Sequence, residues 1–178
     1  MTAEIIELNE TNKHYHNQSN EPFDVFGRLV VTFKEDEWHY TEKLFHESKT
    51  KHYDDEEINL EDYISNDNRV IFFALEDDTL LGQITLRRHW NKYCYIDDIA
   101  VKSAARKKGV GTSLLNKAEE WARNRGLSGF MLETQDINLG ACRFYIKNGF
   151  HLGGVDIMLY ENYENKAEKA LFWYKKFV

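Results

Sequence analysis

Apolar residues fall in short alternating runs in the first half of the chain and in helical stripes further on. Alternation over Arg28 to Phe33, and again over Glu37 to Phe45 with Trp38, Tyr40 and Leu44 on even positions, predicts the two strands of an early hairpin. Asp54-Asp55-Glu56-Glu57 ahead of Leu60, Tyr63 and Ile64 predicts a short helix approached by carboxylates, which favour the positive end of a helix. The run Val70-Ile71-Phe72-Phe73-Ala74-Leu75, a Glu76-Asp77-Asp78 turn and Leu80 to Arg87 predict a second hairpin. Trp90-Asn91-Lys92 then turns the chain into a strand from Tyr93 to Val101.

Helical spacing takes over at Val110, Leu114, Leu115, Ala118, Trp121 and Ala122, with Arg125-Gly126 as the stop. Phe130 to Thr134 predicts a short strand. A second helix starts on Asn138 as its N-cap and ends at Gly149. Strand, helix, strand, helix implies parallel pairing with right-handed crossovers in this region. Phe150 to Tyr160 and Ala170 to Phe177 predict two closing strands. Asn9 to Asn20 is polar and without pattern, so residues 1–20 are expected to form a flexible or loosely docked arm and 21–178 a single domain.

Length changes this picture little, since 178 residues suit one domain with a sizeable core. Charge narrows the partners. Asp and Glu number 30 against 23 Lys and Arg, a formal charge of −7, which disfavours nucleic acid and is compatible with a cationic substrate. Cys94 and Cys142 lie in segments of regular structure and are expected to be reduced, as suits the cytoplasm. No apolar run reaches membrane-spanning length, and the start Met1-Thr2-Ala3-Glu4 lacks the features of a secretory signal. His14-Tyr15-His16 has no third ligand at metal spacing, so no metal is implied. The aromatic tail Phe172-Trp173-Tyr174 suits a homodimer contact as well as a core.

The most distinctive chemistry lies between the strand ending Asp97-Asp98-Ile99-Ala100-Val101 and the helix that follows. Arg106-Lys107-Lys108-Gly109-Val110-Gly111-Thr112 joins two glycines, three cations and the first amides of a helix, the ingredients of a diphosphate cradle. A Walker loop would need a lysine after Gly111. A dinucleotide fingerprint would need a third glycine where Leu114 stands.

One strand later comes Asn138-x-x-Ala141-x-x-Phe144-Tyr145-x-x-x-Gly149-Phe150. Together with Arg106-x-x-Gly109-x-Gly111 it resembles the two signature segments of the GNAT superfamily of acetyl-CoA-dependent N-acetyltransferases. Trp90-Asn91, Tyr95-Ile96, Asp98-Ile99-Ala100-Val101, Leu132-Glu133-Thr134-Gln135-Asp136, Ala141-Cys142, Met158-Leu159-Tyr160 and Phe172-Trp173-Tyr174 are similar, within that superfamily, to the streptothricin (nourseothricin) acetyltransferases. The likeness runs from about Glu21 onward. Ser103 departs from the superfamily pattern, where a proline often stiffens the turn.

The resemblance implies an α+β fold with a central, mixed, twisted sheet of about seven strands flanked by helices and splayed at the acetyl-CoA site. It implies acetyl-CoA as co-substrate, with its pantetheine arm along Ile99-Ala100-Val101, an amide of Ile99 or Ala100 facing the thioester oxygen, and its diphosphate on Arg106, Lys107, Lys108, Gly109, Val110, Gly111 and Thr112. Tyr145 is then the expected general acid, and Asn138 combines the N-cap with a contact to the donor. The acceptor implied is a cationic amine, the β-lysine moiety of a streptothricin-type antibiotic. Carboxylates must attract such an amine and remove its proton, and Glu133, Asp97 and Asp98 are the candidates. By the two-residue strand period, only one of Asp97 and Asp98 faces a cleft unless a bulge intervenes. A polyamine or protein amine as acceptor, or a non-catalytic acyl-CoA sensor, are the alternatives.

Overall fold

A computed structural model describes residues 3–178, which form two compact units. The first holds residues up to Glu21, His52–Phe130 and Lys176–Val178; the second holds Pro22–Lys51 and Met131–Lys175.

In the first unit, strands β1 (Glu4–Glu7), β4 (Arg69–Glu76), β5 (Thr79–Arg88) and β6 (Cys94–Val101) lie in the order β1-β4-β5-β6, each pair antiparallel. β4 reads as a continuous apolar run because both of its faces are covered. Ile71, Phe73 and Leu75 pack with Leu8, Tyr63 and Leu80 on one side. Helix α1 (Val110–Arg123) covers the other, with Lys117 Nζ 6.0 Å from the centre of the Phe72 ring. The face of α1 bearing Val110, Leu114, Leu115, Ala118, Trp121 and Ala122 is buried at the positions its spacing predicts. Asp77 and Asp78, at φ 47° and 60°, make the tight turn between β4 and β5.

The segment expected as a loosely docked arm is built into this unit. β1 pairs with β4, Leu8 N–H donates to Ile71 O, and Leu8 is 2% exposed. The polar stretch that follows is held by its own asparagines: Asn12 Oδ1 accepts from Asn9 N–H and Asn12 Nδ2 donates to Glu7 O. The helix expected near Leu60 is a single 3₁₀ turn, Leu60–Tyr63, capped by Asn59.

The second unit contains the long antiparallel ribbon β2 (Phe23–Lys34) and β3 (Glu37–Lys51), the body of β7 (Gly129–Gln135), helix α2 (Leu139–Lys147), and strands β8 (His151–Asp156) and β9 (Ala170–Lys176) in the order β7-β9-β8. The ribbon strands run well past the alternation that predicted them. β2 sits close on α2: a Cβ on Gly27 would lie 2.7 Å from Lys43 O and 3.0 Å from Leu139 Cδ2. Polar bonds complete the attachment. Arg28 Nε lies 3.1 Å from Asp136 Oδ2, Lys51 Nζ donates to Gln135 Oε1 at 2.7 Å and pairs with Glu168, and Arg143 forks onto Glu42 at 2.8 and 2.6 Å.

β8 ends at Asp156, short of the Tyr160 that its apolar pattern predicts. Asp156 Oδ1 accepts the amides of Met158 and Leu159 at 2.7 and 3.0 Å, and this side-chain turn replaces the next ladder bonds. Among the described residues no helix is long and apolar enough to cross a membrane.

Candidate active site

β5 and β6 pair residue for residue from Gly82↔Val101 to Thr85↔Asp98, and then Leu86 faces Ile96. Asp97 is the extra residue of a β-bulge. Because the bulge inserts one residue into the alternation, Asp97 and Asp98 share the face of Gln83 and Arg87. Arg87 Nε donates to Asp97 Oδ1 at 2.8 Å while its guanidinium lies over the Tyr95 ring, 4.3 Å from the centroid. Gln83 Nε2 donates to Asp98 Oδ2 at 2.7 Å. Burial pushes both carboxyls above the ordinary range; the bond from Arg87 opposes this at Asp97 and that from Gln83 at Asp98. Glu56 adds repulsion to both.

β6 leads through a 3₁₀ turn, Ser103–Ala105, into the glycine loop. The Arg106 side chain folds back here. Its Nε donates to Val101 O at 2.9 Å and one Nη to Glu21 O at 3.4 Å, while Glu21 accepts the Ser103 amide at 2.6 Å. Arg106 thus ties the loop to the strand end. Lys107 and Gly109 take left-handed backbone angles, φ 63° and 89°. A Cβ on Gly109 would meet nothing within 4 Å, so the glycine answers to its φ and leaves open space above the loop. The first bond within α1 runs from Ser113 N–H to Gly109 O, so the Val110 and Gly111 amides have no partner inside the helix. With Lys107 and Lys108 beside them, these groups suit a diphosphate. Ile99 and Ala100 face Ile84 and Gln83 across the ladder, and Val101 faces Gly82.

In the second unit Asn138 caps α2 by accepting the Ala141 amide at 3.1 Å. Tyr145 is 6% exposed, its ring 5.5 Å from that of Phe150 and 6.4 Å from that of Trp173. Glu133, on β7, accepts a hydrogen bond from Tyr160, and burial raises its carboxyl. Further along the same segment, Gln135 Oε1 accepts from Lys51 Nζ and Asp136 pairs with Arg28. Trp90 is 87% exposed, away from any core.

Asp97 and Asp98, in the middle of β6, and the glycine loop that follows the end of that strand belong to the first unit, and Tyr145, Asn138 and Glu133 belong to the second. Gln83, Asn17, Glu21 and Tyr160 were not singled out as site residues in the sequence. Tyr160 closes one of the segments that carry the family likeness, and Gln83 carries a local signal as a lone amide inside the apolar run Leu80 to Leu86.

A family model described as Acetyltransferase (GNAT) family matches residues 32–150. The chain is 44% identical over 173 residues to streptothricin acetyltransferase A of Bacillus subtilis (strain 168), covering 97% of this chain and 99% of that one. A streptothricin acetyltransferase of Escherichia coli is 41% identical over 118 residues, covering 64% and 68%. A crystal structure from Bacillus anthracis str. Ames, of a protein assigned as a streptothricin acetyltransferase and in complex with acetyl coenzyme A, superposes with a TM-score of 0.91 at 36% identity over 100% of both chains. A nourseothricin acetyltransferase structure superposes with a TM-score of 0.82 at 25% identity over 99% of each. A family model spanning most of the chain, full-length relatives and a loop whose backbone suits a diphosphate agree: the chain belongs to the GNAT family of acetyltransferases.

Proposed function

We propose that the protein transfers an acetyl group from acetyl-CoA to an amino group of a streptothricin-type antibiotic, at its β-lysine moiety, and so inactivates it. The observation that carries the choice of acceptor is the full-length likeness to streptothricin acetyltransferase A, 44% identical across 99% of that relative. The coenzyme fits the loop: the positive φ of Gly109, the open space where its Cβ would stand, and the outward amides of Val110 and Gly111 are what a diphosphate requires. Lys107, Lys108 and Thr112 complete that set, and Arg106 keeps it attached to β6. When bound, the coenzyme supplies an acyl group activated as a thioester.

The chain's own residues then have three tasks. Asp97 and Asp98 attract an ammonium and take its proton, directly or through water, because a free alkyl amine with pKa near ~10.4 is almost fully charged at neutral pH. An amide of Ile99 or Ala100 donates to the oxygen that gains negative charge. Tyr145 Oη is the proton source for the leaving thiolate, and Asn138 supports the donor from the cap of α2. Glu133 is a second carboxylate for the acceptor.

Direct transfer without a covalent enzyme intermediate is supported by the cysteines. Cys94 and Cys142 are both 0% exposed, and burial pushes both thiols up to about 12. Neither offers a thiolate nucleophile. Thiol release assayed with streptothricin, spermidine and a lysine peptide tests the acceptor, and mass spectrometry with NMR of the product locates the acetyl group. Turnover confined to spermidine or the peptide would replace the antibiotic as acceptor; coenzyme binding without turnover would make the protein a sensor. Initial rates that intersect when both substrates are varied support transfer in a ternary complex, and parallel lines contradict it.

A further inference from the structure

Gln83 stands in the middle of β5, 1% exposed, and both ends of its amide are used. Its Oε1 accepts the backbone N–H of Asn17 at 2.8 Å, and its Nε2 donates to Asp98 Oδ2 at 2.7 Å and reaches Asn17 Oδ1 at 3.4 Å. A backbone N–H can only donate, so the oxygen of this amide must face Asn17 and the nitrogen must face Asp98. The orientation is thereby set from outside the strand. Asn17 takes a left-handed backbone, φ 62°, which asparagine tolerates better than most residues. The Asn20 amide bonds back to Asn17 O at 3.1 Å and holds the turn that aims the N–H.

The two carboxylates of the bulge thus have partners of different kinds. Asp97 pairs with a cation, Arg87, and Asp98 meets a neutral donor. An aspartate in an ion pair resists protonation, whereas one held by an amide can gain and lose a proton without giving up its position. We propose that Gln83, locked by Asn17, is a positioning residue that holds Asp98 with one oxygen engaged and the other turned to the acceptor amine, making Asp98 the proton acceptor and leaving Asp97 as the fixed counter-charge. This rests on the reading of the bulge carboxylates as the acceptor site. The charged groups around Asp98 are Asp97 on its own strand, Arg87 on β5 through its pair with Asp97, and Glu56 and Asp55 from the segment ahead of the 3₁₀ turn.

The test is the pH profile of kcat/KM for streptothricin in the full-length protein, comparing wild type, Gln83→Met, Gln83→Glu and Asp98→Asn. Gln83→Met removes the donor at similar length. Its acid limb should move to higher pH, so that kcat/KM on the limb falls roughly tenfold for each unit of displacement, with the KM for acetyl-CoA unchanged. Gln83→Glu keeps the acceptor for Asn17 N–H and sets a second carboxylate against Asp98, so its limb should move further the same way. A uniform loss of kcat with the limb in place would show a structural role and overturn the proposal. Asp98→Asn separates the two readings. If it loses activity while both Gln83 variants keep the wild-type profile, the assignment of Gln83 fails alone; if it keeps wild-type activity and limb, the acceptor site itself is wrong. Should the Gln83 variants not fold, the side-chain amide resonances of Gln83 in the wild-type protein serve instead. They should shift with a titration that matches the acid limb, and their constancy would overturn the proposal.

Discussion

Asp97 has no counterpart on β5, and its neighbour Asp98 lies opposite Thr85. Regular alternation would send these side chains to opposite faces of β6. The bulge brings them to one face, where Arg87 and Gln83 bind them at 2.8 and 2.7 Å. Burial pushes both carboxyls above the ordinary range, opposed at Asp97 by the Arg87 ion pair and at Asp98 by the neutral Gln83 amide.

That burial has a sign in stability. A carboxyl raised in the folded protein binds its proton more tightly there than in the unfolded chain, so stability is fullest where both states are protonated and falls as pH rises from the ordinary carboxyl value through the raised one. Asp98→Asn should remove this loss while still accepting from Gln83. Above that window the variant should melt higher than wild type, by ~2–4 °C for each ~1 kcal/mol recovered, and the gap should close in acid. Scanning calorimetry across pH checks this, and a variant that melts lower at every pH would contradict it.

Tyr145 separates packing from chemistry. Its ring lies against Phe150 and Trp173, contacts that Tyr145→Phe keeps, while the hydroxyl is lost. The expected outcome is a fall in kcat of ~10²-fold or more with coenzyme affinity and melting temperature nearly retained. Steady-state kinetics with calorimetric titration of the coenzyme measures both, and unchanged turnover would remove the tyrosine from the mechanism.

Gly109 tests the loop. At φ 89° a side chain is strained by about 1–2 kcal/mol although no protein atom lies in its way. Gly109→Val should therefore cost modest stability and much coenzyme affinity, because its side chain would occupy the space a diphosphate needs. Isothermal titration with CoA reads this directly; wild-type affinity would contradict the cradle.

Arg28 and Asp136 form an ion pair in which the acid is 2% exposed and the arginine 32%. Asp136 also accepts the Lys169 amide at 3.0 Å. Arg28→Met leaves this buried carboxylate without its cation, which should destabilise the fold by on the order of 3 kcal/mol. Urea unfolding should show a lower midpoint with an unchanged slope.

Much of this architecture was legible in the residues where a local cause dominates. The run Val70 to Leu75 is apolar throughout because β4 is covered on both faces, and Asn138 caps α2 because its side chain reaches the Ala141 amide. Other features depend on partners distant in sequence or on side-chain turns that apolar spacing does not register. The segment after Leu8 is polar and patternless and so looks like a flexible or loosely docked arm, yet its asparagines satisfy their own backbone. Ile157, Met158 and Leu159 continue an apolar pattern, yet Asp156 has already captured two of their amides, and these side chains are 64%, 57% and 44% exposed. The glycine loop was readable because positive φ selects glycine. The bulge at Asp97 was not, since a one-residue insertion in a ladder leaves the composition of the strand unchanged.

The most direct measurement is release of CoA thiol when the purified protein receives acetyl-CoA and streptothricin together. The expected result is rapid, antibiotic-dependent release with one acetyl group recovered on the β-lysine moiety, abolished or sharply reduced in Tyr145→Phe. Absence of release above the rate without antibiotic, from folded protein that binds the coenzyme, would contradict the account.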